Sequence, residues 1–155
     1  MPKNIVCYVI ACCLFLSTAY AQETTTLENE ILQAVNKERQ QHNLGALVMN
    51  DILTKIAREH SNAMAKAGVL EHTLGASSLE VRADNNSYKF KMLAENIVTI
   101  DPSINTDIAN VVVKMWMESP DHRQNILTAA FTEAGVGFAT ASNGIKYYTM
   151  VYGAH

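Results

Sequence analysis

Cysteine is confined to the start of the chain, at Cys7, Cys12 and Cys13. The remainder has no thiol to form a disulfide, attack a substrate or bind a metal as thiolate, so its stability must come from packing. Excess basic charge is also missing. Twelve Lys and Arg stand against fifteen Asp and Glu, a net charge of −3, which excludes a general electrostatic grip on nucleic acid or anionic lipid. No apolar run reaches the roughly 18 to 20 residues that span a bilayer, so no transmembrane segment is expected. There is no internal repeat and no low-complexity segment. A Gly-rich phosphate loop, an HExxH pair and a Gly-x-Ser-x-Gly elbow are all absent, and three common enzyme classes thereby lack their signatures. What remains is a chain of 155 residues, 48% hydrophobic and 17% charged, the balance of one globular domain.

The first twenty-one residues read as a leader. Lys3 supplies a positive charge, Ile5 to Leu16 is almost uninterruptedly apolar, and Ala19-Tyr20-Ala21 has the small-x-small pattern of a signal-peptidase site. The sequence predicts a signal peptide over 1–21, cleavage before Gln22, a polar segment over 22–27 and one domain over 28–155. The product would be secreted or periplasmic. A second reading takes Val9-Ile10-Ala11-Cys12 as a bacterial lipoprotein box that anchors the chain through Cys12. The apolar run continues past it to Leu16, which favours the first.

Helices come first and strands last. Thr26 is placed as the cap of a first helix running to about Gln41, with Leu27, Ile31, Leu32 and Val35 at helical spacing. Asn50 caps a second helix built on Leu53, Ile56, Ala57, Ala63, Met64 and Ala67, which Gly68 stops. Residues 69–103 are read as mixed. A third helix is expected over Asn105 to Glu118, burying Ile108, Val111, Val112, Met115 and Trp116, and Pro120 opens a short one through Ile126. Then the period changes. Gly135 to Thr140 alternates, Asn143-Gly144 signals a hairpin, and Ile145 to Tyr152 is β-branched and aromatic on both faces, which predicts cover on both sides. The reading is α+β, with helices flanking a small antiparallel sheet.

Four blocks in order then carry a resemblance. They are Ala57-Arg58-Glu59-His60-Ser61-Asn62-Ala63-Met64-Ala65 with Glu71-His72-Thr73; Arg82, Tyr88 and Ala94-Glu95-Asn96-Ile97; Trp116-Met117-Glu118-Ser119-Pro120-Asp121-His122-Arg123-Gln124-Asn125-Ile126-Leu127; and Gly135-Val136-Gly137 with Tyr147 to Gly153. Together they resemble the CAP superfamily (cysteine-rich secretory, antigen 5 and pathogenesis-related 1 proteins, or SCP domain) in its short, cysteine-free bacterial form. The resemblance implies an α-β-α sandwich and a CAP/SCP domain over 28–155. Eukaryotic members line a cavity with two His and two acidic residues. His72 and Glu95 match the first of each; Ser119 stands for the second acid and Tyr147 for the second His. Ala94 replaces a customary Gly and Met150 a customary Gln. His122 is the residue available to fill the vacated space.

His72, Glu95 and His122 are therefore the candidate site, with Tyr147 and Ser119 as its wall. If they converge, two imidazoles and a carboxylate suit a divalent metal such as zinc. They equally suit a His–Glu acid–base pair, or a polar network that holds a loop. His60, on the apolar face of the second helix, reads as a core histidine with one hydrogen bond. Arg82 and Arg123 are each a candidate partner for Glu95 or Asp121. With no Cys and no Ser in a nucleophile's context, the expectation is a monomeric exported module. Its groove would bind a lipid, glycan, peptide or protein, without catalysis. The alternative is a metal-dependent or Glu-assisted hydrolase of peptides or cell-wall material.

Overall fold

A computed structural model describes residues 26–155, so the expected leader, its cleavage site and all three cysteines lie outside the described residues. Helix α1 covers residues 26–41. It is followed by β1 (Val48–Met49), α2 (Asp51–Ala67), α3 (Leu79–Asn85), β2 (Met92–Ile100), α4 (Ile108–Glu118), α5 (Pro120–Leu127), β3 (Glu133–Thr140) and β4 (Lys146–Ala154). The strands form one sheet in the order β1-β3-β4-β2. Both β2 and β3 pair antiparallel with β4. The sheet is not wholly antiparallel, because the two residues of β1 run parallel to β3.

Helix α2 starts where its cap chemistry says it should: the Asn50 side chain accepts from the backbone N–H groups of Ile52 and Leu53. It stops at Gly68, whose φ of 70° is the left-handed geometry that glycine adopts without strain. The β3–β4 turn sits at Asn143-Gly144, with Gly144 at φ 85°. Two regions differ from the expected pattern. The stretch read as mixed contains both α3 and β2. Helix α4 begins at Ile108 instead of Asn105, and its buried face is Ala109, Val112, Val113 and Trp116. Met115 is turned outward and 40% exposed. In α2, Ala63 and Ala67 are likewise exposed, and His60 and Ser61 occupy the buried stripe instead.

Every residue of β4 after Lys146 is buried, and successive side chains enter cores on opposite faces of the sheet, which produces the three layers. Tyr148, Met150, Tyr152 and Ala154 join Ile31, Val35, Val112, Trp116 and Ile126 in the larger core, beneath α1, α4 and α5. Val151 packs with Leu53, Ile56 and Ala57 of α2 on the opposite face. This is the α-β-α sandwich that the resemblance implies. Helix α2 lies directly on the β3 backbone, because Gly135 and Gly137 present no side chain: a Cβ on Gly137 would stand 2.3 Å from the Arg58 nitrogen. That close seating fixes where His60 stands above the sheet.

Candidate functional site at the edge of strand β2

Glu95 is the centre of the site. It lies near the middle of β2, an edge strand, on the face shared with α2 and α3, and is 7% exposed. A carboxylate there needs partners, and three side chains supply them. From α3, Arg82 donates through Nη1 to Oε2 at 2.7 Å and through Nη2 to Oε1 at 3.1 Å. His72 approaches Oε1 through Nδ1 at 3.0 Å, and the His60 Nε2 atom lies 3.6 Å from the same oxygen. Burial pushes the Glu95 carboxyl up, but the hydrogen bonds from His72 and Arg82 and the Arg82 charge outweigh it, holding the group below the usual carboxylate range. Glu95 is therefore ionised at neutral pH. Of the two arginines left open by the sequence, Arg82 is the partner. Arg123 is exposed and reaches the Met117 carbonyl.

The loop bearing His72 is held at its backbone as well. His60 bonds the Glu71 carbonyl at 2.9 Å and Arg82 Nη2 bonds the His72 carbonyl at 3.1 Å. Burial lowers the pKa of His60 despite the opposing pull of Glu95. His60 is thus the buried histidine of the apolar face, with the added role of holding the loop. Because an ionised carboxylate only accepts, His72 presents its Nδ1–H to Glu95 and turns Nε2 outward. The His72 side chain is 56% exposed.

His122 enters from α5, with its ring centroid 6.4 Å from that of His72 and the planes inclined at 57°. It is half-buried, and burial together with the nearby His72 charge holds its pKa below the ordinary value. Its backbone carbonyl accepts from Asn96 Nδ2 at 3.0 Å. Asn96 in turn accepts from Asn125 Nδ2 at 2.9 Å, and Asn125 also reaches the Glu95 carbonyl at 3.3 Å. Ser119 caps α5 one turn before His122 without a side-chain capping bond. Tyr147 is buried with Met64 and Ile97. It lies four residues along β4 from Val151, which pairs with Glu95, a displacement of about 13 Å along the strand. His72, Glu95 and His122 are thus gathered at one strand edge, Ser119 begins the helix that carries His122, and Tyr147 stands further along β4. Asn96 and Asn125 join the site through this network, for which the Glu-Asn pair inside a strand is the sequence signal.

The donor set for a metal is short. Both oxygens of Glu95 are committed to Arg82 and His72, leaving two imidazoles where a zinc site takes three or four protein ligands. Among the described residues no group of three or more His, Cys, Asp or Glu is placed to hold a metal ion. These residues do not fit a protein-held metal.

An α-β-α sandwich with a His–Glu–Arg cluster at the edge of its sheet describes a class of domain, and sequence comparison identifies the family. The profile for CAP, the cysteine-rich secretory protein family, matches residues 32–152, and the chain belongs to that family. It is 30% identical over 130 residues to the protein YkwD of Bacillus subtilis, covering 82% of this chain but 48% of YkwD. The chain thus spans about half the length of that relative. Among solved structures it is similar to an extracellular protein containing an SCP domain from Bacillus anthracis, with a TM-score of 0.72, 24% identity and coverage of 85% of this chain and 41% of that one. It is also similar to an outer surface protein from Borrelia burgdorferi, with a TM-score of 0.71, 21% identity and coverage of 80% of this chain and 89% of that one. No helix among the described residues is long and apolar enough to cross a membrane.

Proposed function

We propose that this chain is an exported CAP domain whose His72–His122 cleft binds a polar, hydrogen-bonding ligand. The observation that carries the reading is an exposed imidazole oriented by a buried, ionised Glu95 that is itself anchored by Arg82. His72 presents Nε2 outward as a hydrogen-bonding group, and the second ring, His122, stands opposite. Such preorganisation lowers the entropic cost of binding. A hydrolytic role for Glu95 is opposed by its position: a general base works best with a pKa near the operating pH, and this carboxyl is pushed the other way. A metal-bound nucleophile lacks the donors discussed above.

Cell-wall muropeptides carry both glycan and peptide groups and are a suitable first probe. In long-range 1H–15N spectra of the exported protein, their titration should move the His72 and His122 ring signals. His72→Ala combined with His122→Ala should abolish binding while leaving the melting temperature nearly unchanged. Ring signals indifferent to muropeptides, with shifts elsewhere, would overturn the assignment of this cleft. Mass spectrometry of the same sample should find Gln22 at the N-terminus, whereas a diacylated Cys12 would put the domain on a membrane.

A further inference from the structure

The two imidazoles are held by adjacent residues of one strand that point to opposite faces. Glu95 pairs with Val151, on the α2 side of the sheet, and its carboxylate holds the His72 ring. Asn96 pairs with Met150, on the α4 side, and its amide holds the His122 carbonyl. Side chains alternate along a strand, so the supports of the two histidines leave the edge of β2 on opposite faces.

We propose that Asn96 and Asn125 are positioning residues that set the gap between the His72 and His122 rings by clamping α5 to the outer edge of β2. The proposal rests on the reading of that cleft as the ligand site. Asn96 is fully buried, and its polar side-chain atoms are fully engaged. Nδ2 serves the His122 carbonyl and the Tyr152 hydroxyl at 3.0 and 3.1 Å, and Oδ1 receives Asn125. Asn125 spends its second contact on the Glu95 carbonyl, a backbone group of the very residue that orients His72. Burial of α5 alone would not require this, since Ile126 already anchors the helix in the core with no exposed surface. A buried amide is costly unless satisfied, and here it is satisfied only when α5 stands in one register against β2. The network thus specifies position.

The test reads the gap without a ligand. In the exported wild-type protein, His72→Ala should raise the His122 titration midpoint by about half a pH unit, the order of size of like-charge repulsion across a partly exposed gap of this length. In Asn125→Ala the same substitution should raise it by a clearly smaller amount, because the His122 end of α5 is free to shift away from β2. Asn125→Asp keeps the size and removes the donor, and should behave as Asn125→Ala does; Asn125→Gln, which restores a donor, should recover part of the coupling. An undiminished coupling in a natively folded Asn125→Ala or Asn125→Asp protein would overturn the proposal. So would unfolding of both, which would make the pair structural only. If coupling is lost as expected and muropeptides do not bind, the ligand reading fails and the positioning role stands.

Discussion

Replacing Glu95 by Gln removes one charge and almost no volume, so its consequence can be worked from hydrogen-bond geometry. Arg82 donates to both carboxylate oxygens. Whichever way the Gln amide is turned, its NH2 therefore faces a guanidinium donor, and in one orientation it also faces the His72 Nδ1–H. One strong bond is lost, and a cation that is 6% exposed is left without its counter-charge. Breaking a buried pair from one side costs about 3–5 kcal/mol; the half-exposed His72 contact adds little. Urea denaturation at pH 7 should show this loss with an unchanged m value. The further change Arg82→Met should restore about 2 kcal/mol, because the orphaned cation disappears. The pH dependence has a definite sign. The folded-state pKa of Glu95 is depressed, so the wild-type advantage is complete above the unfolded value of about 4.3 and is lost as pH falls through the folded value. The two proteins should therefore converge in stability only once the pH has fallen below that depressed folded value. A loss under about 1 kcal/mol, or no coupling to Arg82, would refute the argument.

Substitutions at three further positions test the packing that supports the site. Arg39 is 1% exposed and donates to the carbonyls of Gly45, Ile126, Thr128 and Phe131. Arg39→Met should cost about 3 kcal/mol, with orphaned carbonyls partly offset by relief of the buried charge. Arg39→Lys should recover less than half, since an ammonium lacks the planar fork; equal stability of Lys and Arg in chemical denaturation would contradict this. Gly137→Ala drives a Cβ to within 2.3 Å of the α2 backbone and should cost about 3 kcal/mol or more; an unchanged melting temperature would mean that α2 is not seated on β3. Trp116 is fully buried, and among the described residues its Nε1–H meets no acceptor. Trp116→Ala should cost about 3–5 kcal/mol and Trp116→Phe at most about half that, having no hydrogen bond to lose; equal losses in calorimetry would point to an unseen partner for the indole.

The sequence announced what local chemistry encodes. Asn50, Gly68 and Asn143-Gly144 mark ends and turns by rules that need no tertiary partner. Strand β2 was not legible. Its segment Leu93-Ala94-Glu95-Asn96-Ile97-Val98 puts two polar residues where a buried strand should be apolar on both faces. They are tolerated only because Arg82, His72, Asn125 and Tyr152 arrive from elsewhere to satisfy them. Helix α4 was shifted in register for a related reason: Met115 and Val113 are equally apolar, and only packing decides which turns inward. Family resemblance located His72, Glu95 and His122 together, but spacing could not choose between Arg82 and Arg123, or show that Tyr147 stands apart.

An open sheet has two edges, and each is a template on which another chain can add a strand. At one edge the two residues of β1 cover only Glu133 and Ala134 of β3. The β2 edge is nine residues long, yet the carbonyl of Glu95 near its middle is taken by an Asn125 side chain from α5, and β2 carries a charge at that same point. A strand arriving from a neighbouring molecule would have to displace α5 before it could zip along β2. The groups that hold His72 and His122 in place therefore also obstruct strand addition along β2, and loosening α5 should increase aggregation through that edge.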